Sequence, residues 1–225
     1  MKDFDESPES QSMNPAEYVR ARRLLMRRDP ILRSIITRQG PCKLAGDRRA
    51  DAYGAAIEAI VWQQLSSKAA ATIFNRVLNL FPPGGSPRPE EMLALPEATL
   101  RSAGLSRQKI SYLRDLSQKV MDGSLALDQL PELTDEEVIE SLMRVKGIGR
   151  WSAEMILIFR LQRRDILPVG DLGIVKAIQK AYRLKSRPTT DRMLKIGERW
   201  RPYRSVASWY LWASLDNKPL RRPRL

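Results

Sequence analysis

From Pro15 onward the apolar positions recur at helical intervals. Tyr18, Leu24, Leu25, Ile31, Leu32, Ile35 and Ile36 fall near a spacing of about 3.6 residues, and Pro30 suits the first turn of a new helix. A loop is expected around Gly40-Pro41 and Asp47. Residues 51–80 form a strong helical segment, with Tyr53, Ile57, Ile60, Val61, Leu65, Ala69, Ile73, Val77 and Leu80 on its apolar stripes. A short break is expected at Gln63-Gln64, with Ser66 or Ser67 capping the helix that follows. The stretch PPGGSPRPEE has the composition of a loop. Shorter helical units follow at 88–95, 97–103, 106–122 and 134–144, the last opening on the capping box Thr134-Asp135-Glu136-Glu137. The pattern continues at 150–162, 172–184, 189–199 and 201–215. No segment alternates apolar and polar residues as a half-buried strand would, so the fold class is all-α. No repeat or linker divides the chain, and two lobes would have to share segments from both ends.

Composition removes whole classes of chemistry. The chain has 225 residues, 43% hydrophobic and 29% charged, as an ordinary globular protein does. A single cysteine, Cys42, excludes an internal disulfide framework and a four-cysteine iron–sulfur cluster. There is no histidine, which excludes a Ser-His-Asp triad, a His-ligated zinc site and histidine acid–base catalysis. No apolar run is long enough to span a bilayer and the N-terminus lacks a signal-peptide core, so a cytoplasmic location is expected, nucleoid-associated in a bacterium. The first dozen residues are polar and acidic and the tail NKPLRRPRL is basic; both are expected to be mobile.

Charge narrows the partner. Thirty-nine Lys and Arg against 26 Asp and Glu give +13 and a pI of about 10.2. Such a balance fits a polyanion, most simply nucleic acid, although charge alone would also suit an anionic membrane surface.

The most informative stretch runs from Val145 to Asp171, VKGIGRWSAEMILIFRLQRRDILPVGD. Gly147-Ile148-Gly149 permits a tight reversal between helices at Glu136–Arg144 and from Arg150 onward. The second helix would then open with unpaired N–H groups and a positive dipole end, an anion site for a DNA phosphate aided by Lys146 and Arg150. The bland reading is a glycine cap between two ordinary helices. Asp171 follows a Pro-Val-Gly loop and precedes another helix. Local sequence favours an N-cap, and a capped carboxylate is also one held in fixed geometry. Glu154 is the rival carboxylate, with Glu58 and Asp165 behind it. Trp151 and Met155 share a helix face, while Trp200, Tyr203, Trp209, Tyr210 and Trp212 crowd the C-terminal helices. Core packing is the default for Trp200 and Trp209; an aromatic wall could instead stack on a nucleobase and attract a cationic one.

Together, IVWQQLSSKAA (60–70), VKGIGRWSAE (145–154), LPVGDLGI (167–174) and WRPYRSVASWYLW (200–212) closely resemble the helix-hairpin-helix DNA glycosylase superfamily, in its DNA-3-methyladenine glycosylase II branch. The likeness runs from about Pro15 to Leu215. It implies a two-lobed all-α fold, with residues 15–58 and 166–216 in one lobe and 59–165, containing the hairpin at 143–160, in the other. Residues 1–14 would be disordered and 217–225 a basic tail. It implies no N-terminal β-domain, a monomer, and double-stranded DNA bearing alkylated bases as partner. By motif, Asp171 matches the catalytic aspartate, Trp151 and Trp212 line the base pocket, and Met155 stands where some relatives carry an aromatic residue. Gln64, with Gln63 and Leu65 as neighbours, matches the wedge that fills the gap left by the extruded nucleotide. Lys146, Gly147, Gly149 and Arg150 would hold phosphate, and the carbonyls of Met143, Val145 and Ile148 could bind a monovalent cation; no cofactor is otherwise required. Bifunctional relatives have a lysine at the position of Trp151, so strand cleavage is not expected. The implied activity is hydrolysis of the bond to a flipped, positively charged alkylpurine such as 3-methyladenine or 7-methylguanine. The alternatives are a non-catalytic hairpin module that binds DNA and a glycosylase for neutral lesions such as hypoxanthine. The first needs no carboxylate beside the hairpin; the second needs a protonating group that the sequence does not display.

Overall fold

A computed structural model describes residues 13–44, 51–82 and 87–215. The expectations for the N-terminal dozen, the loop at Asp47, the core of the PPGGSPRPEE loop and the basic tail lie outside the described residues. Among the described residues every regular element is helical and none is long and apolar enough to cross a membrane.

The chain divides into two compact units. One is the middle of the chain, through Leu161; the other joins the N-terminal helices to everything from Gln162 on. The sequence-based boundary at residues 58 and 59 would have cut a helix. That helix, Ala52–Trp62, is one hydrogen-bonded rod and belongs whole to the middle unit.

The middle unit contains α3 (Ala52–Trp62), α4 (Ser67–Leu78), α5 (Pro89–Ala94), α6 (Glu97–Ser102), α7 (Arg107–Met121), α8 (Asp135–Met143) and α9 (Arg150–Met155). Its core is α7 packed against α3 and α5, with Ile57, Ile60, Val61, Leu113 and Leu116 fully buried. Local chemistry sets the element ends. Thr134 and Glu137 form the expected capping box, and Ser66 caps α4 through the Ala69 N–H. Beyond Met155 the helix widens into a π-turn over Ile156–Arg160, a change of hydrogen-bond register that apolar spacing does not reveal.

The second unit contains α1 (Pro15–Arg28), α2 (Pro30–Gln39), α10 (Leu172–Ala181), α11 (Thr190–Gly197) and α12 (Arg204–Leu215). Residues 13 and 14, expected to be disordered, are instead ordered. Met13 is buried and its N–H donates to the Gln162 carbonyl, while Asn14 caps α1 in a capping box with Glu17. Asp29 is the unit's buried polar anchor. It caps α2 through the Ile31 and Leu32 N–H groups and accepts the Trp200 indole N–H at 2.9 Å and the Tyr182 hydroxyl. Trp200 is therefore core. Around α12, Gln39 donates to the Ala213 carbonyl at 3.0 Å and Tyr210 donates to the Gly40 carbonyl at 2.9 Å. These two bonds and the packing of α10 against α12 fix the C-terminal helix in its unit.

Candidate functional site

In the second unit, the Leu167–Gly170 turn delivers Asp171 to the start of α10. The Asp171 N–H donates to the Pro168 carbonyl at 3.0 Å, and its Oδ1 accepts the Ile174 N–H at 2.7 Å. The local N-cap reading therefore holds. A second donor reaches the same oxygen: the Trp212 indole N–H, from α12, at 2.8 Å. Asp171 and Trp212 are both half-buried. The backbone of Gly173 lies against both. A Cβ there would lie 2.9 Å from Asp171 Oδ1 and 3.0 Å from Trp212 Cδ1, so any side chain would force one of them to shift. The positive end of α10 points at the carboxylate.

In the middle unit, α8 and α9 are joined by the predicted hairpin. Val145 and Ile148 are buried and anchor the turn, with the Ile148 N–H donating to the Val145 carbonyl at 3.1 Å. Gly147 has φ of 79° and lies on the ring of Tyr112; a Cβ would fall 2.1 Å from that ring. The Lys146 N–H donates to Asp115 Oδ2 at 2.8 Å, and Asp115 also pairs with the Lys119 ammonium at 3.2 Å. Burial alone would raise the Asp115 carboxyl, but the Lys146 N–H and Lys119 outweigh it and hold it below its ordinary value. No acceptor among the described residues takes the N–H of Gly147 or Gly149. The turn thus presents backbone donors of the kind that hold phosphate.

Arg150 is less available than the sequence suggested. Its guanidinium makes a two-pronged pair with Glu136, both contacts at 2.8 Å, and lies 3.6 Å from Glu154. Glu154 is buried and occupied in this way, while Asp165 is bound by Arg201 and Arg204 at 2.8 Å each. Two of the three rival carboxylates, Glu154 and Asp165, therefore have ion-pair partners already. Lys146 keeps an exposed ammonium, 3.7 Å from Asp115.

The break between α3 and α4 stands beside this turn. Gln64 is exposed with φ of 56°, in the left-handed region where a non-glycine residue is uncommon. Its neighbour Gln63 donates through Nε2 to the Gly147 carbonyl at 2.7 Å and to Ser152 Oγ at 3.2 Å. The Lys109 ammonium donates to the carbonyls of Val61 at 2.6 Å and Gln63 at 2.9 Å, and burial holds it below its ordinary value. An open cavity of about 670 Å³ is lined by Gln64, Leu65, Lys109, Tyr112, Gly147 and Trp151, among others. Trp151 is 39% exposed, whereas Met155 is half-buried and does not line this cavity.

Comparison with known proteins places the chain that carries this turn and this capped carboxylate in a family. The model of the HhH-GPD superfamily of base excision DNA repair proteins matches residues 57–202. The chain belongs to this superfamily. It is 40% identical over 161 residues to DNA-3-methyladenine glycosylase 1 of Schizosaccharomyces pombe, covering 71% of each chain. Its fold is similar to the solved 3-methyladenine DNA glycosylase of that yeast bound to abasic DNA, with a TM-score of 0.79, 34% identity, and coverage of 87% of this chain and 96% of that one. It is also similar to the DNA-3-methyladenine glycosidase of Bacillus halodurans, with a TM-score of 0.74, 33% identity and 92% coverage of both chains.

Within this HhH-GPD member, the sequence-predicted residues fall into two groups. Gln64, Gly147, Gly149 and Trp151 come together around one cavity of the middle unit, and Asp171 and Trp212 share a hydrogen bond in the other. Sequence reasoning missed Lys109, Tyr112, Asp115 and Gly173, and weighed Gln63 only as a wedge. Their partners are tens of residues away, except for Gly173, whose glycine is a legible signal beside Asp171. Among the described residues no group of three or more His, Cys, Asp or Glu could hold a metal ion.

Proposed function

We propose that this protein is a monofunctional DNA glycosylase of base excision repair that removes alkylated purines, of the 3-methyladenine and 7-methylguanine type, from duplex DNA. The observation that carries the reading is the Asp171 carboxylate, held at the α10 N-terminus by the Ile174 N–H and the Trp212 indole. A fixed anion stabilises the positive charge that develops on the sugar as a base departs. An alkylpurine already carries positive charge and leaves without a strong acid, which suits a chain with no histidine. The relatives' names and the neighbour bound to abasic DNA support the same substrate class.

On this reading the hairpin grips the phosphate backbone through the Gly147 and Gly149 N–H groups with Lys146, and through Arg150 once it exchanges a carboxylate for phosphate. Gln64 fills the gap left by the flipped nucleotide. Trp151, Met155 and Trp212 supply the base pocket. The carbonyls of Met143, Val145 and Ile148 suit a monovalent cation: Met143 ends α8, where carbonyls lack helical partners, and Val145 spends one lone pair on Ile148. The indole of Trp151 offers no primary amine for a Schiff base, so the enzyme acts as a hydrolase alone. Its proposed setting is cytoplasmic or nucleoid DNA, on which it works as a monomer.

The test is base release from methylated duplex DNA by wild type and Asp171→Asn. Wild type releases 3-methyladenine and 7-methylguanine and leaves the abasic strand uncut. The variant binds DNA as before but releases base at least about 100-fold more slowly. Equal rates for the two proteins would overturn the assignment.

A further inference from the structure

The pocket role given to Trp212 concerns its aromatic face. Its edge has a separate use. The indole N–H donates to Asp171 Oδ1 at 2.8 Å, on the same oxygen that accepts the Ile174 N–H at 2.7 Å. One donor belongs to α10 and the other to α12, so the carboxylate is fixed from two elements. Gly173 makes the arrangement possible, since a side chain there would enter the space shared by Asp171 Oδ1 and the Trp212 ring. The helix bearing Trp212 is itself held. Tyr210, fully buried, bonds the Gly40 carbonyl two residues before Trp212, and Gln39 bonds the Ala213 carbonyl one residue after it. An indole placed only to stack on a base would need no such alignment of its N–H.

From this geometry we infer that Trp212 is a positioning residue for Asp171: its indole N–H holds the carboxylate in the orientation used for base release, a role separate from any contact of its ring with a base. The inference rests on the glycosylase reading of Asp171. A hydrogen bond to an ionised acceptor is among the stronger neutral-to-charged contacts, and its loss takes from Oδ1 the donor that α12 supplies.

The deciding variant is Trp212→Phe, which keeps an aromatic face and removes the donor. Under single-turnover conditions with saturating methylated DNA, its base-release rate falls about 10- to 100-fold while its affinity for abasic DNA stays within about twofold. In an Asp171→Asn background the same substitution costs nothing further, because it acts through the carboxylate. A second readout needs no catalysis: the Trp212 indole N–H signal in an NMR spectrum moves upfield in Asp171→Asn. Wild-type rates in Trp212→Phe, or an indole signal indifferent to Asp171→Asn, would overturn the inference. A wild-type protein that releases no base would instead sink the glycosylase reading, with the indole signal still reporting whether the bond exists.

Discussion

In the hairpin, backbone geometry does the holding. Gly147 stands at a positive φ against Tyr112, and what it offers outward are amide N–H groups. In the aspartate site of the other unit, side chains do it: Asp171 is gripped by the Trp212 indole as well as by the α10 amide, and Gly173 contributes by having no side chain at all. The contrast follows from the two tasks that the proposed function assigns. A phosphate is alike at every position along DNA, so a turn of repeated backbone donors suffices. A carboxylate that meets one sugar carbon must be oriented to a fraction of an ångström, which calls for donors fixed from two directions. Both regions depend on a glycine, for opposite reasons: one needs the conformation and the other needs the space.

This contrast can be broken experimentally. The largest effect is expected from Gly147→Ala. The left-handed backbone and the collision with Tyr112 together cost about 2–4 kcal/mol, seen as a lowered denaturant midpoint together with weaker DNA binding. Should Gly147→Ala bind DNA normally, the turn would not be the backbone-gripping element. Gly173→Ala comes next and separates the two regions: unfolding changes less, DNA affinity is retained, and base release drops by about 100-fold because Asp171 and Trp212 are pushed apart. Gln63→Ala is milder. It removes the bonds to the Gly147 carbonyl and Ser152, costing about 1 kcal/mol of stability and a few-fold of DNA affinity.

The smallest effect is a pH dependence confined to the hairpin. Asp115 is held below its ordinary value in the folded protein, so it contributes stability that is present above the unfolded aspartate value. That contribution is lost as pH falls through the folded value. The protection of the Lys146 amide, taken against its intrinsic exchange rate at each pH, should therefore fall on acidification below the ordinary aspartate range, and Asp115→Ala should show low protection at every pH. An unchanged wild-type protection profile across that range would remove Asp115 as the hairpin's support.

Much of this architecture was legible from local pattern. Helical spacing located the elements, Thr134 and Glu137 announced their capping box, and Asp171 announced its N-cap. The reason is physical: caps and helix faces are contacts between residues three or four apart. What was hidden depends on residues far apart in sequence. Gln63 meets Gly147, and Trp212 meets Asp171, across chain separations that no periodicity encodes. The pairing of Arg150 with Glu136 was missed for the same reason, and it changed a cation expected to face DNA into one already partnered. Met13 was placed in the disordered segment 1–14 because composition cannot see the backbone bond to Gln162 that orders it.

The left-handed backbone at Gln64 has one more consequence. It exists in the protein without DNA, pinned from below by Lys109 and from the side by the Gln63 bridge. Its conformational cost is therefore met when the chain folds. A probe that is already rigid loses little entropy on entering a duplex. In the proposed wedge role, Gln64 would test successive base pairs with the same hard edge, yielding only where stacking is already weak, so that discrimination would begin with the mechanical compliance of the DNA before any pocket has seen a base.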